Sequence, residues 1–263
     1  MRKPTAKSLI LDLLLANDGR PLSARQAIAA CAIFDISVNN TRVALVRLSA
    51  EGLIESAGRA LYQLTDDAHL LADDVATWRT KAQRVRPWAG DYLVVQADKL
   101  TRAEAKQQRA RNRSLHMLGF QALNPHLFIR ADNIEDSPDA VRARLYRLGL
   151  EEDAPVFRAR DFDKDTEKRI HALWNPGQLE TLYTQHELKI RTWLERHDLL
   201  EVEVAARESF LLGSQAIKHV VYDPFLPEQW VNIDARERFI RIVHELDGVG
   251  KTIWMKLWSE LDT

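Results

Sequence analysis

Residues 37–52 read SVNNTRVALVRLSAEG, and the order of side-chain types in that string decides the reading of the N-terminal part of the chain. Ser37 carries a hydroxyl suited to cap a helix and Gly52 the backbone freedom to end one, so Val38 to Glu51 is predicted as a helix of about four turns. Within it Val38, Thr41, Leu45 and Leu48 step by threes and fours and are expected to form the buried stripe. Asn39, Asn40, Arg42, Val43 and Arg47 then face away. Asn pairs bidentately with adenine, Arg with guanine, and a small apolar side chain touches a thymine methyl, so this face holds a vocabulary for reading bases.

The flanks extend the pattern. Pro21 and Ser23 open a shorter helix, Ala24 to Ala32, which gives helix, turn and recognition-helix candidate in order. Downstream, Leu53 to Ser56 and Leu61 to Leu64 are short apolar-rich runs joined by Ala57, Gly58, Arg59 and Ala60, the pattern of a β-hairpin with a cation at its tip. Together these parts predict a winged helix-turn-helix over residues 1–66, with Asn39, Asn40, Arg42, Val43, Arg47 and Arg59 as its DNA-binding residues. A three-helix cap with a hairpin, in which Arg42 and Arg47 merely solvate a helix face, shows the same local pattern and stays open here.

Charge is distributed unevenly behind a net value of −1. Residues 1–64 hold eight Lys and Arg against five acids, 65–78 hold four acids and no base, and 79–113 hold ten bases against three acids. Attraction to phosphate is local, so a basic N-terminal part can face DNA while an acidic remainder faces elsewhere; the same bases also suit a solvated helix face. Cys31 is the only cysteine, which excludes an internal disulfide and fits a reducing, cytoplasmic address. Arg2, Lys3 and Lys7 before Leu9 to Leu15 imitate a secretion signal, but Asp12 interrupts the apolar run. No stretch approaches the ~20 apolar residues of a membrane span, so no membrane partner is expected.

Asp66 to Lys81 reads as a connecting helix, making 67–87 a linker. Tyr92 to Val95, a helix over Thr101 to Leu118, Phe120 to Leu123, Leu127 to Ile129, a helix from Pro138 to Gly149, and Val156 to Ala159 follow in the order β-α-β-β-α-β, which predicts a ferredoxin-like domain over 88–162. Residues 163–263 read as an all-helical domain: Gln178 to His197, Glu201 to Val221, a break at Tyr222 to Pro227 forced by two prolines, a helix from Asp234 to about Leu246, and another from Thr252 to Leu261. The fold class is therefore α+β.

These residues resemble a known family, the PaaX-like repressors of phenylacetic acid degradation. Thr41 to Leu48 followed by Glu51, Gly52 and Leu53 looks like that family's recognition helix and the start of its wing. Trp88-Ala89-Gly90-Asp91-Tyr92-Leu93 looks like its strand entering the middle domain, and Gly119 to Pro125 like the next strand and turn. Asp223-Pro224-Phe225-Leu226-Pro227 is similar to its Asp-Pro-x-Leu-Pro element. The resemblance implies a homodimeric repressor of a catabolic operon that binds a double-stranded DNA operator and is released by an aromatic acyl-CoA such as phenylacetyl-CoA.

For such an effector, chemistry nominates cations for the phosphates, Arg109, Arg111 and Arg113, and aromatic surface for the acyl group, Trp193, His219, Tyr222 and Trp230. No cofactor or metal is expected, and no enzyme: the eight histidines include no His-Glu-x-x-His pair, and no Gly-rich loop follows a strand. Two alternatives remain. One is a metal-dependent nuclease built on the ferredoxin-like domain, with Asp91 as its carboxylate; the other is an interaction protein whose winged helix binds no DNA.

Overall fold

The computed structural model describes residues 3–17, 19–66, 68, 76–98, 104–134 and 137–261. The chain divides into two compact units, each assembled from separated segments. The first comprises Met1–Thr77, Leu188–Ile217 and Arg241–Thr263; the second comprises Trp78–Glu187 and Lys218–Ile240. The fold is mixed α+β, and among the described residues it has two sheets that are antiparallel throughout.

The first unit opens with helix α1, Ala6–Ala16, whose apolar run is core: Leu9, Ile10, Leu13 and Leu14 are buried. Thr5 caps it in a reciprocal pair with Ser8, each side chain accepting from the other's backbone N–H. Helix α2, Ala24–Ile33, is capped in the same way by Ser23 and Gln26. Helix α3, Val38–Ala50, starts where Ser37 accepts from the Asn40 N–H. Strands β1 (Leu22–Ser23), β2 (Ile54–Gly58) and β3 (Leu61–Leu64) form a sheet in the order β1-β3-β2. The two-residue β1 was not legible in the sequence, because so short a strand has no alternation to display.

One prediction about α3 is corrected. Thr41, Leu45 and Leu48 are buried as expected, but Val38 is 46% exposed and Ala44 takes its place in the core. The reason is position: Val38 is the first helical residue, one turn ahead of the contact with α1 and α2, while Ala44 is small enough to bring those backbones close. The core that receives the stripe includes Ala27 and Cys31 from α2, Phe34 at its C-cap, Ile54 and Leu64 from the hairpin, and Ala206, Trp254 and Leu257 from the later segments of the unit.

In the second unit, β4 (Tyr92–Gln96), β5 (Gln121–Asn124), β6 (Leu127–Ala131) and β7 (Val156–Ala159) form a sheet in the order β5-β6-β4-β7. Tyr92, Leu93, Val94 and Val95 are all buried, because β4 is central and covered on both faces. Helices Ala105–Met117 and Pro138–Leu148 link β4 to β5 and β6 to β7. Ser137 and Pro138 begin the second of these and Gly149 ends it, at φ 113. That glycine is obligatory on two counts, since a Cβ there would also lie 2.7 Å from Ala110 Cβ.

The prolyl break is a largely buried turn held by side-chain hydrogen bonds. Lys81 Nζ donates to the carbonyls of Met117 (3.3 Å), Val221 (3.0 Å) and Asp223 (2.9 Å). Asn133 Nδ2 donates to Phe225 O at 2.7 Å and Arg236 Nη1 to Leu226 O at 2.8 Å. Asp223 accepts from the Phe225 N–H and the Tyr183 hydroxyl, at 2.7 and 2.6 Å. A chain reversal rich in proline leaves carbonyls without ladder partners, and these side chains supply them.

Three further readings change. Helix Lys164–His171, capped by Asp163, was not predicted; only one of its residues, Ile170, is buried, so it lacks the apolar periodicity that marks a helix. The two final helices are one, Ile233–Leu261, running through Gly248 and Gly250. Neither glycine adopts a positive φ, and packing along 29 residues outweighs a cost of about 1 kcal/mol for each. Asp234 lies in its first turn instead of at the cap. Of the connecting helix expected over Asp66 to Lys81, residues 67 and 69–75 lie outside the described residues, and Trp78–Lys81 is helical; residues 101–103 of the helix expected from Thr101 lie outside them too.

Candidate nucleic-acid interface

Helix α3 is held rigidly from behind. Thr41, fully buried, donates its hydroxyl to Ser37 O at 3.1 Å, so no polar atom is wasted in the core. At the other end Glu51 caps the helix and pairs with Lys7 of α1, while the backbone turns at Gly52 with φ 67. The Thr65 hydroxyl donates to Gly52 O at 2.7 Å, tying the end of β3 to the same turn. Asn39, Asn40, Arg42, Val43 and Arg47 are all exposed, on a helix whose thirteen residues include no acid.

The hairpin presents Arg59 at its tip, exposed, between Gly58 at φ 145 and Ala60 at φ 56. A bulge between Ser56 and Gly58 twists the ribbon there, and the Ala24 N–H donates to Ala60 O at 2.9 Å. The tip is thereby anchored to the start of α2. All six residues nominated for DNA contact thus belong to one unit and are open to solvent.

The residues nominated for an effector do not converge in this way. Arg111 is buried, its Nε on Glu151 at 2.7 Å and its Nη1 on Asp98 O at 2.5 Å, whereas Arg109 and Arg113 are exposed on the same helix. Spacing by two on a helix turns the middle residue about 200° from its neighbours, which is why one arginine is structural and two are solvated. Trp193 is buried in the first unit with its ring 5.2 Å from His197. The others lie in the second unit, each with its own neighbours. His219 lies 4.6 Å from His186, and Tyr222 lies 4.8 Å from His116. Trp230 is set among Trp88, Tyr92, His171 and Trp174. Burial, aided by Lys218, holds the His219 imidazole below its ordinary pKa.

Cations that do converge are Lys81, Arg130 and Arg144, which line a small cavity with Leu93, Leu118 and Val141. They come from three separate elements, so no sequence spacing could reveal them. Burial pulls Lys81 down to about 7, opposed by Asp223 and reinforced by Arg130 and Arg144.

Asp91 is held by Arg160 in a two-pronged ion pair of 2.5 and 2.8 Å, which keeps its carboxyl below the ordinary range. Among the described residues no three His, Cys, Asp or Glu side chains are grouped to hold a metal ion. No described helix is long and apolar enough to cross a membrane.

The chain is similar to known proteins in its fold and over its N-terminal residues. No curated protein matches it. Three solved chains do; one is the uncharacterized protein Rv0674 from Mycobacterium tuberculosis, 19% identical, with a TM-score of 0.62 over 96% of this chain and 98% of that one. At that identity the likeness is one of fold. The family described as PaaX-like protein matches residues 5–68. Over those residues, which contain α1 to α3 and the hairpin, the chain carries a PaaX-like domain, of the family that its recognition-helix string resembles.

Proposed function

We propose that the protein is a DNA-binding transcriptional regulator, a repressor of a catabolic operon relieved by an aromatic acyl-CoA. In this reading residues 1–66 are a winged helix-turn-helix, with α3 in the major groove and Arg59 on the backbone beside it. Asn39, Asn40, Arg42, Val43 and Arg47 meet the DNA from α3. Residues 88–162 are a ferredoxin-like domain, a reading supported by the strand order β5-β6-β4-β7 and the two connecting helices. The observation that carries the proposal is the acid-free, solvent-facing side of α3, fixed by caps at both ends and contained in the PaaX-like segment.

A single module of this kind covers too little DNA for tight specific binding, so the working species is a homodimer on a two-fold site. Selection from a pool of randomised duplexes, followed by gel shift of the enriched sequence, tests the reading. A palindromic consensus bound with nanomolar affinity is expected. Absence of any enriched sequence would exclude sequence-specific DNA binding and leave the nuclease and interaction-protein alternatives.

A further inference from the structure

The exposed side of α3 holds more than the residues singled out for hydrogen bonding. Val43 and Val46 are 39% and 69% exposed, and Ala50 is exposed with them. At about 100° per residue, Asn39, Val43, Val46 and Ala50 step by four, three and four and fall on one stripe. That stripe is diametrically opposite the buried one of Thr41, Ala44, Leu45 and Leu48. Arg42 flanks it on one side, Arg47 on the other.

Valine is a poor choice there on every structural ground. It is β-branched, so it lowers helix stability relative to Ala or Leu, and an exposed isopropyl group does nothing for solubility. Nor is it a lone accident, since two valines and an alanine share the stripe while the cations sit beside it. An apolar ridge between two arginines, on a helix without acids, matches the floor of a major groove that displays C5-methyl groups between two phosphate walls.

We infer that Val46, with Val43, reads thymine methyl groups, so that the centre of each half-site contains thymine, and that Val46 is a specificity-determining residue. The inference rests on the proposed DNA-binding function and adds the chemical group being read. Asn39, one turn from Val43 on the same stripe, is placed to take an adjacent adenine.

The test uses the full-length protein and the duplex enriched from the randomised pool. Each thymine is replaced in turn by deoxyuridine, which removes only the methyl group and leaves base pairing intact. One buried methyl corresponds to about fourfold in affinity, so at one or two positions the wild type is expected to lose about that much. Val46→Ala should lose a similar amount on the thymine duplex and be insensitive to uracil at the position it reads. Val46→Thr keeps the shape and replaces a methyl by a hydroxyl, and is expected to fall in the same way; unchanged helical circular dichroism establishes that both variants fold. If uracil has no effect at any position, or if Val46→Ala keeps the full wild-type sensitivity, the inference is overturned while DNA binding stands. If no duplex is enriched, both are overturned together.

Discussion

Arg47 and Arg59 carry the same charge but different roles, and substitution separates them. Arg47 extends from α3 beside the stripe proposed to read bases, so Arg47→Ala is expected to cost ~1–3 kcal/mol on the selected duplex and relax the preference at one base pair. Arg59 stands at a loop tip, and in the proposed reading it meets phosphate only; Arg59→Ala should then weaken binding to all duplexes alike and reduce the salt slope by about one unit. Equilibrium titrations of both variants on cognate and scrambled duplexes at several salt concentrations check this. Asp12 belongs to the same scale but concerns stability. Its side chain is half-buried on α1, and burial raises its pKa from 3.8 to about 6. A carboxyl with a raised folded pKa holds its proton better in the native state, so the penalty is absent well below pH 3.8, grows as pH rises to about 6, and is constant above. Asp12→Asn should therefore leave stability nearly unchanged at pH 2.5 and raise it by about 3 kcal/mol at pH 8. Urea melts at the two pH values would disprove the assignment if the gap did not widen.

At the level of elements, two sites show close approach deciding stability. Gly149→Ala places a methyl against Ala110 and imposes a side chain at φ 113, so a loss of about 2 kcal/mol or more is expected. Adding Ala110→Gly should return only part of it, because the second change relieves the clash and leaves the backbone strain. Thermal melts of the single and double variants distinguish the two contributions. The turn at Asp223–Pro227 is the other site. Lys81→Met removes the donor to three buried carbonyls and keeps the apolar stem, and unpaired carbonyls cost about 1–3 kcal/mol each, so the second unit should lose several kcal/mol of stability. A denaturation midpoint equal to that of the wild type would mean that other donors take over. The elements around these sites were legible to differing degrees. Helix Pro138–Leu148 was readable because its proline, apolar stripe and terminal glycine all agree. Helix Lys164–His171 was not, because nearly every side chain in it faces water.

For the whole molecule, the proposed switch makes a quantitative demand. An effector that lowers operator affinity a hundredfold must prefer the non-binding arrangement by about 2.7 kcal/mol, and DNA must weaken the effector by the same factor. Titrating phenylacetyl-CoA, phenylacetate and CoA alone into the preformed complex, with anisotropy as readout, is expected to show release by the thioester. Release by the free acid at equal concentration would keep the regulator and remove the thioester from its description. Light scattering is expected to show a dimer on the duplex, and a monomer there would remove the two-fold site.

The sequence by itself determined the local elements whose signals are local. Capping residues, breaking residues and three-four periodicity placed α2, α3, the hairpin and the alternating elements from β4 to β7, and the string from Thr41 to Leu53 pointed to the family that residues 5–68 match. The exposure of Asn39, Asn40, Arg42, Val43 and Arg47 was readable because exposure on a helix follows from what the opposite face must bury, and that of Arg59 because it falls in a turn. Only the tertiary structure decided what depends on distant parts of the chain. It exposed Val38 and buried Ala44, joined the last two predicted helices through Gly248 and Gly250, and brought Lys81 to the carbonyls of Val221 and Asp223. It also turned Arg111 inward between its exposed neighbours. Each of these is settled by a partner far away in sequence, and periodicity records which face is buried without recording what it is buried against.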